Sequence, residues 1–200
     1  MRHRSDRHVR AEPVVDVAAQ DFGQALPDRA GRAAAHGLAV ERYRERYQPR
    51  QHGRIGMANN CDWREPLTDS PEDRAAAQRA LEFFLGWFAD PLYFGDYPES
   101  MRQRVGNRLP VFERDDAARI KGSADFFGLN HYTTMYAAQA SPREPSESLP
   151  FGNGGIAEDQ DVRLSADPSW NKTEMGWAIV PWGIRKLLLW INERYGGPQI

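Results

Sequence analysis

An α/β fold built on parallel strands is what this sequence predicts, on three observations. Short apolar runs at residues 54–58 and 125–132 alternate with stretches whose apolar residues recur at helical spacing. The helical stretches carry apolar stripes that need a second layer to cover them, the widest running through Ala80, Phe83, Phe84, Trp87 and Phe88. No segment repeats at a fixed period, so a solenoid is not indicated.

In chain order, residues 33–47 read as a helix, with Ala35, Leu38, Ala39, Tyr43 and Tyr47 near helical spacing, and it ends before Pro49. Residues 54–58, bounded by Gly53 and Asn59-Asn60, suit a short buried strand. The next helix has the strongest local signal. Ser70 can cap it, Pro71 suits the first helical position, and Glu72 and Asp73 sit where the helix dipole favours anions. Asp90-Pro91 is expected to stop it. Residues 98–105 suit another helical turn or two, and 115–121 a short helix closed by Gly122. Residues 125–132 read as a core strand whose C-terminal end carries Asn130, His131 and Tyr132. Rich in Pro, Ser, Gly and Asp, residues 137–174 are expected to form one long surface connection, a kind of loop that is usually functional or disordered. The last helix is expected over 181–195, with Ile184, Leu187, Leu188, Ile191 and Tyr195 on one face and Gly196-Gly197-Pro198 as its stop.

A chain of 200 residues suits one domain, and a net charge of -2 from 26 basic and 28 acidic side chains gives no field that would imply a nucleic-acid or membrane partner. The exception is local: Arg2, Arg4, Arg7 and Arg10 with His3 and His8 form either a basic arm or a terminus without structure of its own. Cys61 is the single cysteine, which excludes an internal disulfide and a cysteine-based metal site. No leader-like apolar region opens the chain and no run approaches the roughly 18 apolar residues of a membrane span, so it reads as soluble, its compartment open. The histidines form no HxH or HExxH pair, the cluster Gly152-Asn153-Gly154-Gly155 lacks the Lys-Ser/Thr of a phosphate loop, and there is no GxSxG elbow. No metal or other cofactor is expected.

Several motifs in one order carry a resemblance. They are Gly53-Arg54-Ile55-Gly56-Met57 with Trp63 and Pro66, then Gly86-Trp87-Phe88-Ala89-Asp90-Pro91-Leu92 with Gly95-Asp96-Tyr97-Pro98 and Met101, then Arg108-Leu109-Pro110-Val111-Phe112. After them come Asp125-Phe126-Phe127-Gly128-Leu129-Asn130-His131-Tyr132-Thr133 and Met175-Gly176-Trp177-Ala178-Ile179-Val180-Pro181. Together they resemble family 1 glycoside hydrolases, the β-glucosidase family. The resemblance runs from about His36 to Ile200, with residues 1–32 matching poorly. It implies a single partial domain, an incomplete (β/α)8 TIM barrel from roughly the end of strand four to just before strand seven.

The same resemblance implies an activity, retaining hydrolysis of β-glucosides, with a small-molecule β-glycoside as partner. It also implies roles for particular side chains. Asn130 would offer its amide to the sugar hydroxyls, the phenol of Tyr132 would orient the nucleophilic carboxylate, and Trp177 would wall the aglycone side. Each also has a plainer reading, Asn130 and Tyr132 as the finish of a strand end and Trp177 as a half-buried core residue. Glu12, in Ala11-Glu12-Pro13, would be the acid/base carboxyl, although Ala11 replaces the family's Asn and the usual Trp after the Pro is missing. The nucleophilic Glu of the family's Thr-Glu-Asn-Gly motif would fall about four residues beyond Ile200. A chain of these residues alone is therefore expected to be inactive, either part of an active glycosidase or a non-catalytic sugar-binding or regulatory remnant of the same fold.

Overall fold

The structure, a computed structural model, describes residues 26–140 and 156–200, with side chains from 31 to 140 and from 158 to 200. Its first helix, α1 (Leu26–Arg46), includes most of the stretch expected to be helical but buries a different face. Ala33, His36, Val40 and Tyr43 face inward, while Leu38 and Tyr47 are about half exposed. Close approach decides this. A Cβ on Gly37 would lie 3.3 Å from the backbone of Arg119, and His36 Nε2 sits 3.1 Å from the carbonyl of Ser123. One further turn, α2 (Gln48–Gln51), follows with Pro49 inside its first turn.

Two parallel strands come next in space, β1 (Met57–Asn60) and β3 (Phe127–Asn130), in register from Met57 opposite Phe127 to Asn60 opposite Asn130. The strand expected at 54–58 thus begins later. Asp125 captures Ile55 first: its Oδ2 accepts the Ile55 N–H at 2.9 Å and its own N–H donates to the Ile55 carbonyl at 2.7 Å.

Both strands continue, after short breaks, into a second sheet. It is made of β2 (Trp63–Pro66), β4 (Thr134–Gln139) and β5 (Val162–Ser165), in the order β2-β4-β5, the first pair parallel and the second antiparallel. This corrects the expectation of one surface loop over 137–174. Ala137, Val162 and Gln160 are buried there, and a short helix, α7 (Ile156–Asp159), precedes β5. Strands of four residues with no clean alternation are invisible to periodicity; only pairing reveals them.

α3 (Pro71–Leu81) is built as expected, with the Ser70 hydroxyl accepting the Asp73 N–H at 3.1 Å, and it covers β2 and β4. The helix then runs on through a π turn (Glu82–Gly86) into α4 (Trp87–Phe94), so Pro91 lies inside a helix instead of ending one. The wide turn explains the tolerance. The Trp87 N–H already reaches back five residues to Glu82, so the backbone is loosened just ahead of the pyrrolidine ring. Gly95, at φ 86°, makes the real stop.

The π turn also splits the aromatic stripe. Phe83 and Trp87 pack with Tyr97, Met101, Val105 and Leu109, which come from α5 (Glu99–Val105) and its surroundings. Phe84 packs instead against the cluster of Leu85, Ala89, Cys61, Phe127, Leu187 and Ile191. α6 (Arg114–Ile120) packs on α1 and is followed by Gly122 at φ 76°.

The last helix, α8 (Pro181–Arg194), buries Gly183, Leu187 and Ile191 with Tyr195 just beyond, a stripe at every fourth residue, and Ile184 is 41% exposed rather than on that face. Gly183 has to be a glycine because any Cβ would collide with Thr134. After α8 the carbonyl of Gln199 accepts the Phe127 N–H at 2.7 Å, bringing the chain back beside β3.

Candidate functional site

Parallel strands flanked by helices place their C-terminal ends at a crevice where ligands bind. Here those ends are Asn60 of β1 and Asn130 of β3, opposite each other in register, with the Asn130 side exposed. The chain beyond them is tied down from β1 to β3. The Cys61 N–H donates to the Asn130 carbonyl at 2.9 Å, and His131 Nδ1 lies 3.0 Å from the Cys61 carbonyl. Asp62 Oδ1 accepts two successive backbone N–H groups, from Tyr132 at 3.1 Å and Thr133 at 3.0 Å.

With its backbone held this way, Tyr132 projects into solvent at 54% exposure. Its ring meets Trp177 edge-on, with centroids 5.2 Å apart and planes at 64°, the geometry favoured by aromatic quadrupoles. Trp177 is delivered by a hairpin. The Thr173 N–H donates to the Trp177 carbonyl at 2.8 Å, the Trp177 N–H to Thr173 Oγ1 at 3.1 Å, and the Ile179 N–H to the Asn171 carbonyl at 2.8 Å. Gly176, at φ 83°, makes the bend that a side chain would resist. Thr133 Oγ1 then donates to the Ala178 carbonyl at 2.9 Å and fastens this hairpin to the end of β3.

Of the residues picked out from the sequence, Tyr132 and Trp177 are brought into contact, and Asn130 stands at the strand end two residues earlier. Trp177, at 41% exposure, is not a core residue. Glu12 lies outside the described residues, as does the basic N-terminal stretch. Asp62 and Thr133 were missed, because a backbone-binding carboxylate and a hydroxyl that reaches another loop leave no sequence pattern.

A second polar cluster lies along β2. Glu65 is held by Lys186 Nζ at 2.6 and 2.8 Å and by the Trp63 indole N–H at 2.6 Å. It lines an open cavity of about 320 Å³ with Tyr136, Trp182 and Lys186. These bonds occupy both carboxylate oxygens of Glu65. The Cys61 thiol is no nucleophile, since complete burial pushes its pKa up. Among the described residues no group of His, Cys, Asp and Glu could hold a metal ion, and no helix is long and apolar enough to cross a membrane.

Comparison with known proteins identifies the family to which this fold belongs. The family model for glycosyl hydrolase family 1 matches residues 21–200. Beta-glucosidase 4 of Oryza sativa subsp. japonica is 41% identical over 167 residues, covering 83% of this chain and 34% of its own length. Coniferin beta-glucosidase of Pinus contorta is 42% identical over 171 residues, covering 83% of this chain and 32% of its own. Among solved structures, a rice β-glucosidase superposes with a TM-score of 0.75 at 39% identity, covering 84% of this chain and 36% of that one. The β-glucosidase of Trichoderma harzianum gives 0.76 at 35% identity, covering 90% and 38%. This chain therefore spans about a third of the length of the relatives it matches. Their fold is the (β/α)8 barrel, of which β1 and β3 form an adjacent parallel pair. Motif order, strand register and overall superposition converge, and the chain belongs to glycosyl hydrolase family 1.

Proposed function

We propose that these residues form one wall of the active site of a retaining β-glucosidase that hydrolyses small β-glucosides. The observation that carries the reading is the Tyr132–Trp177 pair standing over the C-terminal ends of two parallel strands. A variant of the rice β-glucosidase is known in a covalent complex with Glc, the species that retaining hydrolysis requires.

Retention needs two carboxyl groups about 5 Å apart, one attacking the anomeric carbon as the other protonates the leaving oxygen. In this reading the nucleophile stands next to Tyr132, whose phenol donates a hydrogen bond to the carboxylate, keeping it ionised and aimed. Asn130 holds the sugar hydroxyls at the strand end. Trp177 offers a flat apolar face to the leaving group, and its edge contact with Tyr132 sets the distance between the sugar and aglycone sides. Glu12 is the acid/base residue. After departure of the aglycone it takes a proton from water, which attacks the glycosyl-enzyme and returns the sugar with its configuration kept.

The test is turnover of an aryl β-glucoside by the natural protein, with product stereochemistry read by NMR. Release of β-glucose supports the reading, whereas α-glucose or no turnover overturns it. Glu12→Gln should slow the second step and restore a faster turnover when azide, which needs no base, replaces water. An unchanged rate removes Glu12 from the mechanism. A polypeptide of these 200 residues alone should show no turnover of an aryl β-glucoside.

A further inference from the structure

Asp62 and Thr133 stand on either side of one peptide. Asp62 Oδ1 receives the N–H groups of Tyr132 and Thr133, while the Thr133 side chain donates to Ala178, the residue after Trp177. Asp62 Oδ2 faces the buried guanidinium of Arg64 at 4.0 Å, too long for a hydrogen bond but close enough for Coulomb attraction to hold the carboxylate in place. Arg64 itself is anchored over the Phe84 ring at 5.2 Å. A rigid chain of contacts thus runs from the core through Arg64 and Asp62 to the backbone of Tyr132, and on through Thr133 to the hairpin that carries Trp177. Asp62 and Thr133 are partly buried, whereas Tyr132 and Trp177 are exposed.

We propose that Asp62 and Thr133 are positioning residues that couple the sugar side of the site to its aglycone wall, Asp62 fixing the backbone of Tyr132 and Thr133 fixing the hairpin of Trp177. The functional half of this proposal rests on the β-glucosidase reading above; the coupling itself does not. Two consequences separate positioning from general stability. Loss of the Thr133 hydroxyl frees the hairpin but leaves the Asp62 bonds, so it changes the choice of leaving group and spares the sugar. Loss of the Asp62 carboxylate loosens both sides, because the hairpin hangs from the residue that Asp62 holds.

The experiment is hydrogen exchange, read per amide in the natural protein, together with kcat/KM for an aryl and a short alkyl β-glucoside. Thr133→Val should speed exchange at Trp177 and Ile179 and lower the aryl/alkyl ratio of kcat/KM about 5- to 10-fold, the size of one lost hydrogen bond. Thr133→Ser should restore both. Asp62→Ala should speed exchange at Tyr132, Thr133 and Ile179 together and lower kcat for both substrates, with Asp62→Asn intermediate. Exchange confined to residues 132–133 in Asp62→Ala, or an unchanged aryl/alkyl ratio in Thr133→Val, overturns the coupling. Linked exchange in a wild-type protein that turns over neither glucoside overturns the β-glucosidase reading and the specificity role together, while the mechanical link between the two walls stands.

Discussion

Tyr132 illustrates how a single side chain acquires a role from its surroundings. Its exposed ring adds little to the core, yet its backbone is bound by Asp62 and its edge rests on Trp177. Removing only the hydroxyl in Tyr132→Phe keeps that packing and, in the proposed role, deletes the hydrogen bond to the nucleophilic carboxylate, worth about 1.5–3 kcal/mol. We expect kcat to fall roughly 10- to 100-fold at little cost in melting temperature. A fall confined to KM would remove Tyr132 from the orientation of the nucleophile. His36 shows the opposite case, a titratable group used for packing. Burial holds its pKa below the ordinary 6.5, outweighing the Ser123 carbonyl bond that raises it, so the folded protein prefers the neutral ring. The unfolded chain takes up a proton first as pH falls, so stability is full above about pH 6.5 and declines below it. His36→Gln retains a donor for Ser123 without the titration. Melting temperatures followed from neutral to mildly acidic pH should drop less steeply in the variant, and parallel curves would refute the assignment.

At the scale of elements, α4 and α8 are joined by a buried polar cluster rather than by apolar packing alone. Arg194 grips Asp90 with two bonds, at 3.0 and 2.5 Å, reaches Glu82 at 3.1 Å, and the Tyr195 hydroxyl donates to Asp90 at 2.8 Å. Burial raises the Asp90 pKa even so, which means that desolvation outweighs the bonds that favour the anion. Replacing one member strands the rest. Asp90→Ala should cost about 3–5 kcal/mol, seen as a lower urea midpoint with an unchanged slope. An effect below about 1 kcal/mol would show the cluster to be water-accessible in solution. The same helix contains Pro91, which the sequence marks as a stop and the structure carries through. Local rules about proline assume a regular preceding turn, and the π turn at Glu82–Gly86 removes that assumption.

For the whole molecule, the described strands leave edges. β1 and β3 pair only with each other, and β2 lies at one side of the second sheet. A closed eight-stranded barrel has no such edges and usually needs about 250 residues. A polypeptide of these 200 residues should therefore aggregate or bind a hydrophobic dye. A monodisperse monomer with sharp melting would contradict this. The Gln199 carbonyl on the Phe127 N–H shows where one edge is met, at the start of β3.

The features legible in the amino-acid order were local or pattern-borne. Helix α3 with its Ser70 cap, helix α8, the strand leading to Asn130, and the family motifs could be read because capping, period and motif order are written in neighbouring residues. Folding in three dimensions settled the rest. The face that α1 buries was set by Gly37 against Arg119, the second sheet by pairing between segments far apart in sequence, and the positions of Tyr132 and Trp177 by Asp62 and Thr133. These features depend on hydrogen bonds and close contacts between residues tens of positions apart. Such contacts exist only once the chain is folded, so no window of local sequence contains them.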